Sequence, residues 1–269
     1  ALVSHGEDAE DPNIPYLLWY GIEPLVAANP SYAMELARVS RMPRVASWIW
    51  RRAGAEDETL PFALDDLARS PGLDRQQAIL DAILLALDVR SGVEMPANWA
   101  TMSAGFMNSP SDAVRIKAIN LATLFGDPRA FPFLRAQLAD ATASTEDRSR
   151  ALETLLRAKD DGVVPVMIGL IADPEWGSAV LKGLAVFAHE VIPGAILEEL
   201  PELEGAPRRD AISSLTSRAP WAMQMLDAMG EGRVERNDLG AVELRKLSAL
   251  GDDLILKRLN EVWGVVREA

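Results

Sequence analysis

Apolar residues recur at helical spacing along almost the whole chain, from Ile14 onward. About every ten to fifteen residues the pattern is interrupted by a short segment rich in Pro, Gly, Asp, Asn or Ser. Side chains of Asp, Asn and Ser accept hydrogen bonds from the free N–H groups at the start of a helix, and Pro fits its first turn. The interruptions are Asn29-Pro30, Ser70-Pro71-Gly72, Ser109-Pro110-Ser111, Gly126-Asp127-Pro128, Asp173-Pro174 and Gly205-Ala206-Pro207. The pattern therefore predicts roughly fifteen short helices.

The clearest amphipathic pattern is the last one, and strand signals are almost absent. Ile255, Leu259, Val262 and Val266 are spaced by 4, 3 and 4 residues, which places them on one face of a helix. The best strand candidate, residues 162–168, contains Pro165, which cannot donate to a sheet ladder, and the segment fits a helix equally well. The predicted fold is all-α, with no significant sheet.

Six positions in the middle of the chain recur 33 residues later. Arg115, Ala118, Asp127, Pro132, Leu138 and Asp140 are matched by Arg148, Ala151, Asp160, Pro165, Ile171 and Asp173. We expect the Arg to begin a first helix, the Ala to face its partner closely, the Asp to lie in the reversing turn and the Pro to open a second helix. A helix pair exposes an apolar face that only a neighbouring pair can cover, so such units stack. The repeat predicts an α-solenoid of HEAT/armadillo-like helix pairs in a right-handed superhelix.

The repeat also suggests how the chain is organised. Residues 111–230 are predicted to form HEAT-like repeats of about 33 residues. Residues 1–110 form an N-terminal helical part, either diverged repeats or a distinct helical subdomain, with the boundary at residues 108–111. Residues 231–269 are predicted to be C-terminal helices leading to a following domain.

The acidic composition excludes several classes of partner. The chain has 40 Asp and Glu against 27 Lys and Arg, which gives a net charge of −13. Such a surface repels nucleic acid and anionic lipid unless its basic residues are strongly segregated, and only short basic clusters occur. A DNA-groove helical-repeat enzyme would need a basic concave face that this composition disfavours. No apolar window is long enough to predict insertion into a membrane. The absence of Cys removes thiol catalysis, thiolate metal sites and covalent haem attachment, so no cofactor is expected in this segment.

Residues 5–13 form an acidic segment with two interpretations. Glu7, Asp8 and Asp11 are candidate oxygen ligands for Ca²⁺ or Mg²⁺, with Glu10 and Asn13 beside them. The spacing is not that of a calcium loop, and Asp11 or Asn13 is more simply explained as the cap of a helix beginning near Pro15. With only two histidines, the chain alone cannot supply three nitrogen ligands to zinc, and it has neither a nucleophile elbow nor a phosphate-binding loop.

An aromatic and cationic patch in residues 47–54 gives a candidate interaction surface. Trp and Arg are the residues most enriched at the energetic centres of protein interfaces. The interaction candidates are Trp48, Trp50, Arg51 and Arg52, together with Trp19 and Tyr20. Because large aromatic side chains are usually buried first, we expect at least one of these Trp residues to pack in the core beside an Arg–carboxylate pair.

Residues 5–25, HGEDAEDPNIPYLLWYGIEPL, resemble a signature of one bacterial family. This is the large multidomain, haem-binding, membrane-bound dehydrogenase family of planctomycete and verrucomicrobial bacteria. Further matches are Arg51-Arg52, residues 126–131 (GDPRAF), Ser217-Arg218 and residues 263–267 (WGVVR). In that family a sorbosone/glucose-dehydrogenase-like β-propeller precedes a helical repeat region, and a c-type cytochrome domain with Cys-x-x-Cys-His follows it. The resemblance implies that this chain is the helical middle of an exported, periplasmic protein.

Together these observations predict a non-catalytic scaffold. Its partners would be flanking domains of the same polypeptide or another protein, and the parent protein would be an oxidoreductase although this segment is not an enzyme. The alternative is a metal-dependent enzyme or a carbohydrate-binding module that uses residues 5–13 with Trp19 and Tyr20.

Overall fold

A computed structural model describes residues 2–88, 90 and 92–264. Over these residues the chain forms sixteen α-helices, short 3-10 turns and no strand, which confirms the predicted all-α fold. The first eight helices are α1 Ile14–Ala28, α2 Pro30–Val39, α3 Pro43–Gly54, α4 Leu60–Arg69, α5 Leu73–Leu87, α6 Ala97–Met107, α7 Asp112–Leu124 and α8 Phe131–Ala139. The others are α9 Thr145–Ala158, α10 Val164–Ile168, α11 Gly177–Leu184, α12 Val191–Glu199, α13 Gly205–Leu215, α14 Ala219–Gly230, α15 Ala241–Ala249 and α16 Asp253–Val262.

The chain divides into two compact units, Ala1–Phe133 and Leu134–Ala269. The boundary predicted at residues 108–111 coincides with the turn between α6 and α7, which lies inside the first unit. The strand candidate at residues 162–168 is helical, formed by a 3-10 turn at Asp161–Val163 followed by α10. None of the described helices combines the length and the apolar composition that crossing a membrane requires.

In the first unit, helices pack against their next-but-one neighbours in two series. One series joins α1, α3, α5 and α7, and the other joins α2, α4 and α6. Sequential helices close each pair, as α1 does with α2 and α3 with α4. The apolar faces meet in one core, whose fully buried side chains include Ile49, Leu64, Leu80 and Trp99. This is the packing expected of a helical-repeat fold.

The second unit packs in the same alternating way. Helices α10, α12, α14 and α16 form one series, and α11 packs against α13. Of the amphipathic C-terminal pattern, Ile255 and Leu259 are buried and Val262 is half-buried, while Val266 lies outside the described residues. The helical-repeat packing is confirmed in each unit, and the handedness of the superhelix stays a prediction.

Polar side chains cap the starts of several helices, at the predicted interruption in the case of Ser111 and outside the predicted interruptions in the cases of Ser144 and Asp252. Ser111 Oγ accepts a hydrogen bond from the N–H of Val114 at 3.4 Å, and Ser144 Oγ accepts one from the N–H of Asp147 at 3.1 Å. Asp252 Oδ1 accepts a bond from the N–H of Leu254 at 2.9 Å. Each oxygen satisfies a donor that has no partner within the helix.

Two hydrogen bonds between neighbouring helices join residues that are 33 positions apart in the sequence, which is the length of one repeat. Asn98 Nδ2 donates to Asp65 Oδ1 at 2.8 Å, across 33 residues. In the second unit, Ser214 Oγ donates to the carbonyl of Leu181 at 2.8 Å, also across 33 residues. The first of these bonds lies within residues 1–110, for which diverged repeats and a distinct helical subdomain both stay predictions.

Helices α7 and α9 end in the same geometry at positions 33 residues apart. Gly126 (φ +64°) and Lys159 (φ +52°) both have a left-handed backbone conformation. In each case the N–H of the following residue donates a hydrogen bond to the carbonyl five residues before it, from Asp127 to Ala122 and from Asp160 to Leu155. This is the Schellman type of helix end, in which a left-handed residue is usually Gly. Lys159 therefore keeps a conformation that its Cβ disfavours.

Substituting Lys159→Gly is expected to raise the free energy of unfolding by about 0.5–1 kcal/mol, because the left-handed backbone no longer clashes with a Cβ. Urea denaturation followed by circular dichroism measures the change. The matched control is Gly126→Ala, which places a Cβ at the equivalent position and is expected to lower the free energy by a similar amount. A destabilised Lys159→Gly protein would contradict this explanation.

Candidate functional site: an aromatic cleft on the first unit

Helices α1 and α3 bring four aromatic side chains together on one surface. Trp19 and Tyr20 follow Tyr16 by three and four residues on α1, so the three side chains project from one side of that helix. The ring of Trp48 on α3 packs against two of them, with centroids 5.0 Å from Tyr16 and 6.1 Å from Trp19. Both pairs are tilted, a favourable arrangement for aromatic rings at these distances.

These rings form one wall of an open cleft of about 600 Å³, which we call the aromatic cleft. Its lining consists of Tyr16, Trp19 and Tyr20 from α1, Trp48, Arg51 and Arg52 from α3 with Ala55 just beyond it, and Leu85 and Ala86 from α5. Several of these side chains face water, with Tyr20 71% exposed, Leu85 53% and Tyr16 46%. Trp19 and Trp48 are half-buried. The cleft is therefore an accessible apolar surface built by three helices.

The close approach of α3 and α5 creates the floor of the cleft. A Cβ at Gly54 would lie 3.1 Å from the Cβ of Ala86 and 3.3 Å from the Cα of Ile83, so a larger residue at position 54 would push the helices apart. Four lining residues were not predicted from the sequence, namely Tyr16, Ala55, Leu85 and Ala86. The small pair Gly54 and Ala86 is the only local sequence signal for this approach, and it has meaning only once α3 and α5 are known to be neighbours.

The two arginines of the cleft differ in their electrostatic surroundings. Arg52 donates from Nε to Glu23 Oε1 at 2.7 Å and is paired through Nη2 with Glu56 Oε1 at 2.9 Å. These bonds, that to Glu23 first, raise the pKa of Arg52 above its ordinary value because they favour the charged guanidinium. Arg51 is exposed and, within the described part of the chain, has no ion pair or hydrogen bond. The cleft therefore carries one guanidinium that is available to a ligand.

Trp50 does not belong to this surface, which corrects its choice as an interaction candidate. It is 4% exposed, its Nε1 donates to the buried Asp66 Oδ2 at 2.8 Å, and the guanidinium of Arg75 lies 5.1 Å from its ring centroid. Residues two apart on a helix point to nearly opposite sides, so Trp50 faces the core while Trp48 faces the cleft. The expectation that one Trp packs in the core beside an Arg–carboxylate pair is confirmed.

The acidic N-terminal segment acts as a helix cap. Asp11 Oδ1 accepts hydrogen bonds from the N–H groups of Ile14 and Asn13, each at 2.8 Å. These two bonds lower the pKa of Asp11 because they favour its ionised form. Glu7 contacts His5 Nδ1 at 3.2 Å, on the exposed surface. In residues 2–88, 90 and 92–264, Glu7, Asp8 and Asp11 do not meet as a set that could hold a metal ion, and no other three acidic or His side chains do so.

Neither histidine has surroundings typical of a catalytic base. His5 is exposed, with Glu7 as its contact. His189 is also exposed and lies in the link before α12, where its carbonyl accepts a bond from the N–H of Ile192 at 3.3 Å. In both cases the side chain faces solvent rather than an enclosed cavity.

The fold and the cleft define an all-α helical-repeat protein with an accessible aromatic surface. Comparisons of the chain with protein-family models, with curated proteins and with solved structures find no match. The resemblance to the multidomain dehydrogenases therefore depends on the sequence motifs alone and stays a prediction.

Proposed function

We propose that this chain is a non-catalytic helical-repeat scaffold in a larger, exported, periplasmic protein. In this role its packed helix pairs set the spacing between a propeller-type dehydrogenase domain and a c-type cytochrome domain. The observation that carries the proposal is an uncharged outer stripe on α1.

The outer stripe of α1 consists of Leu17, Gly21, Pro24 and Ala28. All four are exposed, and their spacing of three or four residues places them in one row along the helix. The single charged residue of α1 is Glu23, which is engaged by Arg52. Helices at the end of a repeat array that face water carry polar outer faces. In a chain with 25% charged residues, an uncharged outer face indicates a helix that another structure covers.

The size of this stripe favours a covalently joined neighbour. A helix of fifteen residues is about 22 Å long, so one face of it offers roughly 200 Å². A stable association between separate proteins buries about 800 Å² on each partner. A domain of the same polypeptide is held nearby at an effective concentration near the millimolar range, at which a small interface is sufficient. The stripe thus fits a flanking domain better than a freely diffusing partner.

Thiol labelling tests the proposal, because the chain contains no Cys and an introduced one is unique within it. Leu17→Cys, at a side chain 67% exposed, is compared in residues 1–269 alone and in the intact polypeptide encoded by the same reading frame. We expect maleimide to label this Cys at least about tenfold more slowly in the intact polypeptide, where a flanking domain covers the stripe.

The matched control is Val39→Cys, at a side chain 53% exposed on α2, which should react at equal rates in the two proteins. Equal rates at Leu17→Cys would overturn the proposal. So would a reading frame with no strand-rich segment before this chain and no Cys-x-x-Cys-His after it.

A further inference from the structure

We propose that the aromatic cleft is a binding site for an extended peptide segment that carries an apolar side chain between two carboxylates. The inference goes beyond the scaffold role and does not depend on it, because it is argued from the side chains that line the cleft on α1, α3 and α5 and not from the outer stripe. A peptide site would remain if α1 were not covered by a flanking domain.

The first ground is the exposure of contiguous apolar side chains from three helices. Tyr16 and Tyr20 of α1, Trp48 of α3 and Leu85 of α5 line one concavity and remain accessible. Aromatic side chains beside Arg, in a depression that excludes part of the water, are typical of the energetic centre of a protein interface. The concavity supplies a place for an apolar anchor.

The second ground is charge complementarity. Arg44, Trp48 and Arg51 follow each other along one side of α3 at spacings of four and three residues. Arg44, like Arg51, is exposed and has no ion pair or hydrogen bond with any described residue. The Glu23 and Glu56 carboxylates beside the cleft are both engaged by Arg52. In a chain with a net charge of −13, two unpaired cations on either side of the half-buried Trp48 favour a partner with carboxylates.

The spacing of these cations matches an extended backbone. Arg44 and Arg51 are seven residues apart on α3, which corresponds to about 10 Å along the helix axis. In an extended chain of the polyproline II type, residues three apart are separated by about 9 Å, and the repeat of three residues per turn places them on one face. Carboxylates at the first and fourth positions of such a segment can therefore reach both guanidinium groups, and the residues between them lie over Trp48.

The floor of the cleft favours a peptide over a saccharide. Ala55, Leu85 and Ala86 offer no side-chain hydrogen-bonding group. Sugar hydroxyl groups placed against this floor would lose water without gaining partners, whereas an aliphatic or aromatic side chain has no such requirement. A second copy of the chain is disfavoured because two molecules of this net charge repel each other.

The test uses the peptide acetyl-Gly-Asp-Leu-Phe-Asp-Gly-amide as probe, with binding followed by indole N–H resonances and by calorimetry. Two matched peptides replace either both Asp by Asn or the Leu-Phe pair by Ser-Ser. We expect the Asp peptide to bind at least about tenfold more tightly than either control peptide, and Arg51→Glu to weaken it by at least about tenfold. Arg69→Glu, the same charge reversal at an exposed arginine on α4, should leave binding within about twofold.

A second pair of variants separates binding from folding. Tyr20→Ser removes the most exposed ring of the cleft, whereas Tyr32→Ser removes an exposed ring on α2, outside the cleft. Tyr20→Ser should reduce binding of the Asp peptide while its circular dichroism stays that of the wild type, and Tyr32→Ser should change neither. No binding at millimolar peptide, equal binding of the Asn peptide, or an unchanged affinity in Arg51→Glu would overturn the proposal. Preferential binding of a galacturonate trisaccharide, or self-association that Arg51→Glu abolishes, would replace it with another ligand.

Discussion

Asp127→Ala is expected to lower the free energy of unfolding by about 2–4 kcal/mol. The Asp127 carboxylate is completely buried and accepts hydrogen bonds from Trp99 Nε1 at 3.1 Å and from Arg129 Nε and Nη2, each at 2.8 Å. Removing it leaves the buried indole N–H of Trp99 without an acceptor. The Arg129 side chain is 37% exposed, so water can partly replace the lost partner, which keeps the effect below that of a fully buried pair.

The control is Asp57→Ala, which removes another Asp from an Asp–Arg pair of the first unit. Asp57 is 62% exposed and contacts Arg90 Nη2 at 2.6 Å, so its loss should lower the free energy by less than about 1 kcal/mol. Urea denaturation followed by circular dichroism compares the two variants. Equal losses would mean that burial of Asp127 and its bond to Trp99 contribute nothing beyond a surface ion pair.

The same carboxylate should make stability depend on acid pH. Burial opposes the ionised form of Asp127, but hydrogen bonds from the Arg129 side chain, the Arg129 N–H and Trp99 outweigh it and hold the pKa of Asp127 below its ordinary 3.8. A carboxyl group whose pKa is lower in the folded state contributes stability above its unfolded pKa and loses that contribution as pH falls through the folded pKa. Wild-type protein should therefore lose more stability than Asp127→Asn when the pH is lowered below about 4.

Much of the fold could be predicted from the sequence because its causes are local. Helix starts depend on short-range bonds such as the one that Ser111 Oγ accepts from the N–H of Val114, and the repeated Ala118 and Ala151 are buried as their role at a helix contact requires. The packing of the N-terminal part was harder to predict, because it depends on contacts between helices far apart in sequence, such as Asn98 with Asp65 across 33 residues, rather than on repeated residue identity.

The candidate site was only partly predictable because it is formed by packing between helices. Helical spacing separates Trp48 from Trp50, but which of them faces the core depends on the buried acceptor Asp66, sixteen residues away from Trp50. Leu85 and Ala86 become part of the cleft only because α5 packs against α3. Similarly, Arg51 and Arg52 are equivalent in sequence and differ only because Arg52 meets two carboxylates in the folded chain.

Arg148→Ala is expected to lower the free energy of unfolding by about 2–3 kcal/mol. Arg148 is 6% exposed, its Nε donates to the carbonyl of Leu138 at 2.9 Å, and its guanidinium carbon lies 4.7 Å from the ring centroid of the buried Trp176. The substitution removes the donor from a buried carbonyl and the cation from the face of an indole. Arg148→Lys should keep less than half of the free energy of unfolding that Arg148→Ala loses, because an ammonium group cannot both stack flat on the ring and donate from a fixed planar group of donors.

The control lies two residues further along α9. Arg150 is 62% exposed and pairs with Glu146 at 2.7 Å and Asp147 at 3.3 Å, so Arg150→Ala should lower the free energy by less than about 1 kcal/mol. If Arg148→Lys restored full stability, the charge alone would matter and the planar guanidinium would not.

The corresponding repeat residue Arg115 also donates to a carbonyl, that of Ser109 at 3.1 Å. Both repeated arginines therefore donate a hydrogen bond to a carbonyl of the segment that precedes their helix. This common contact explains why Arg recurs at this position of the repeat, and it is the contact that the Arg148 variants test.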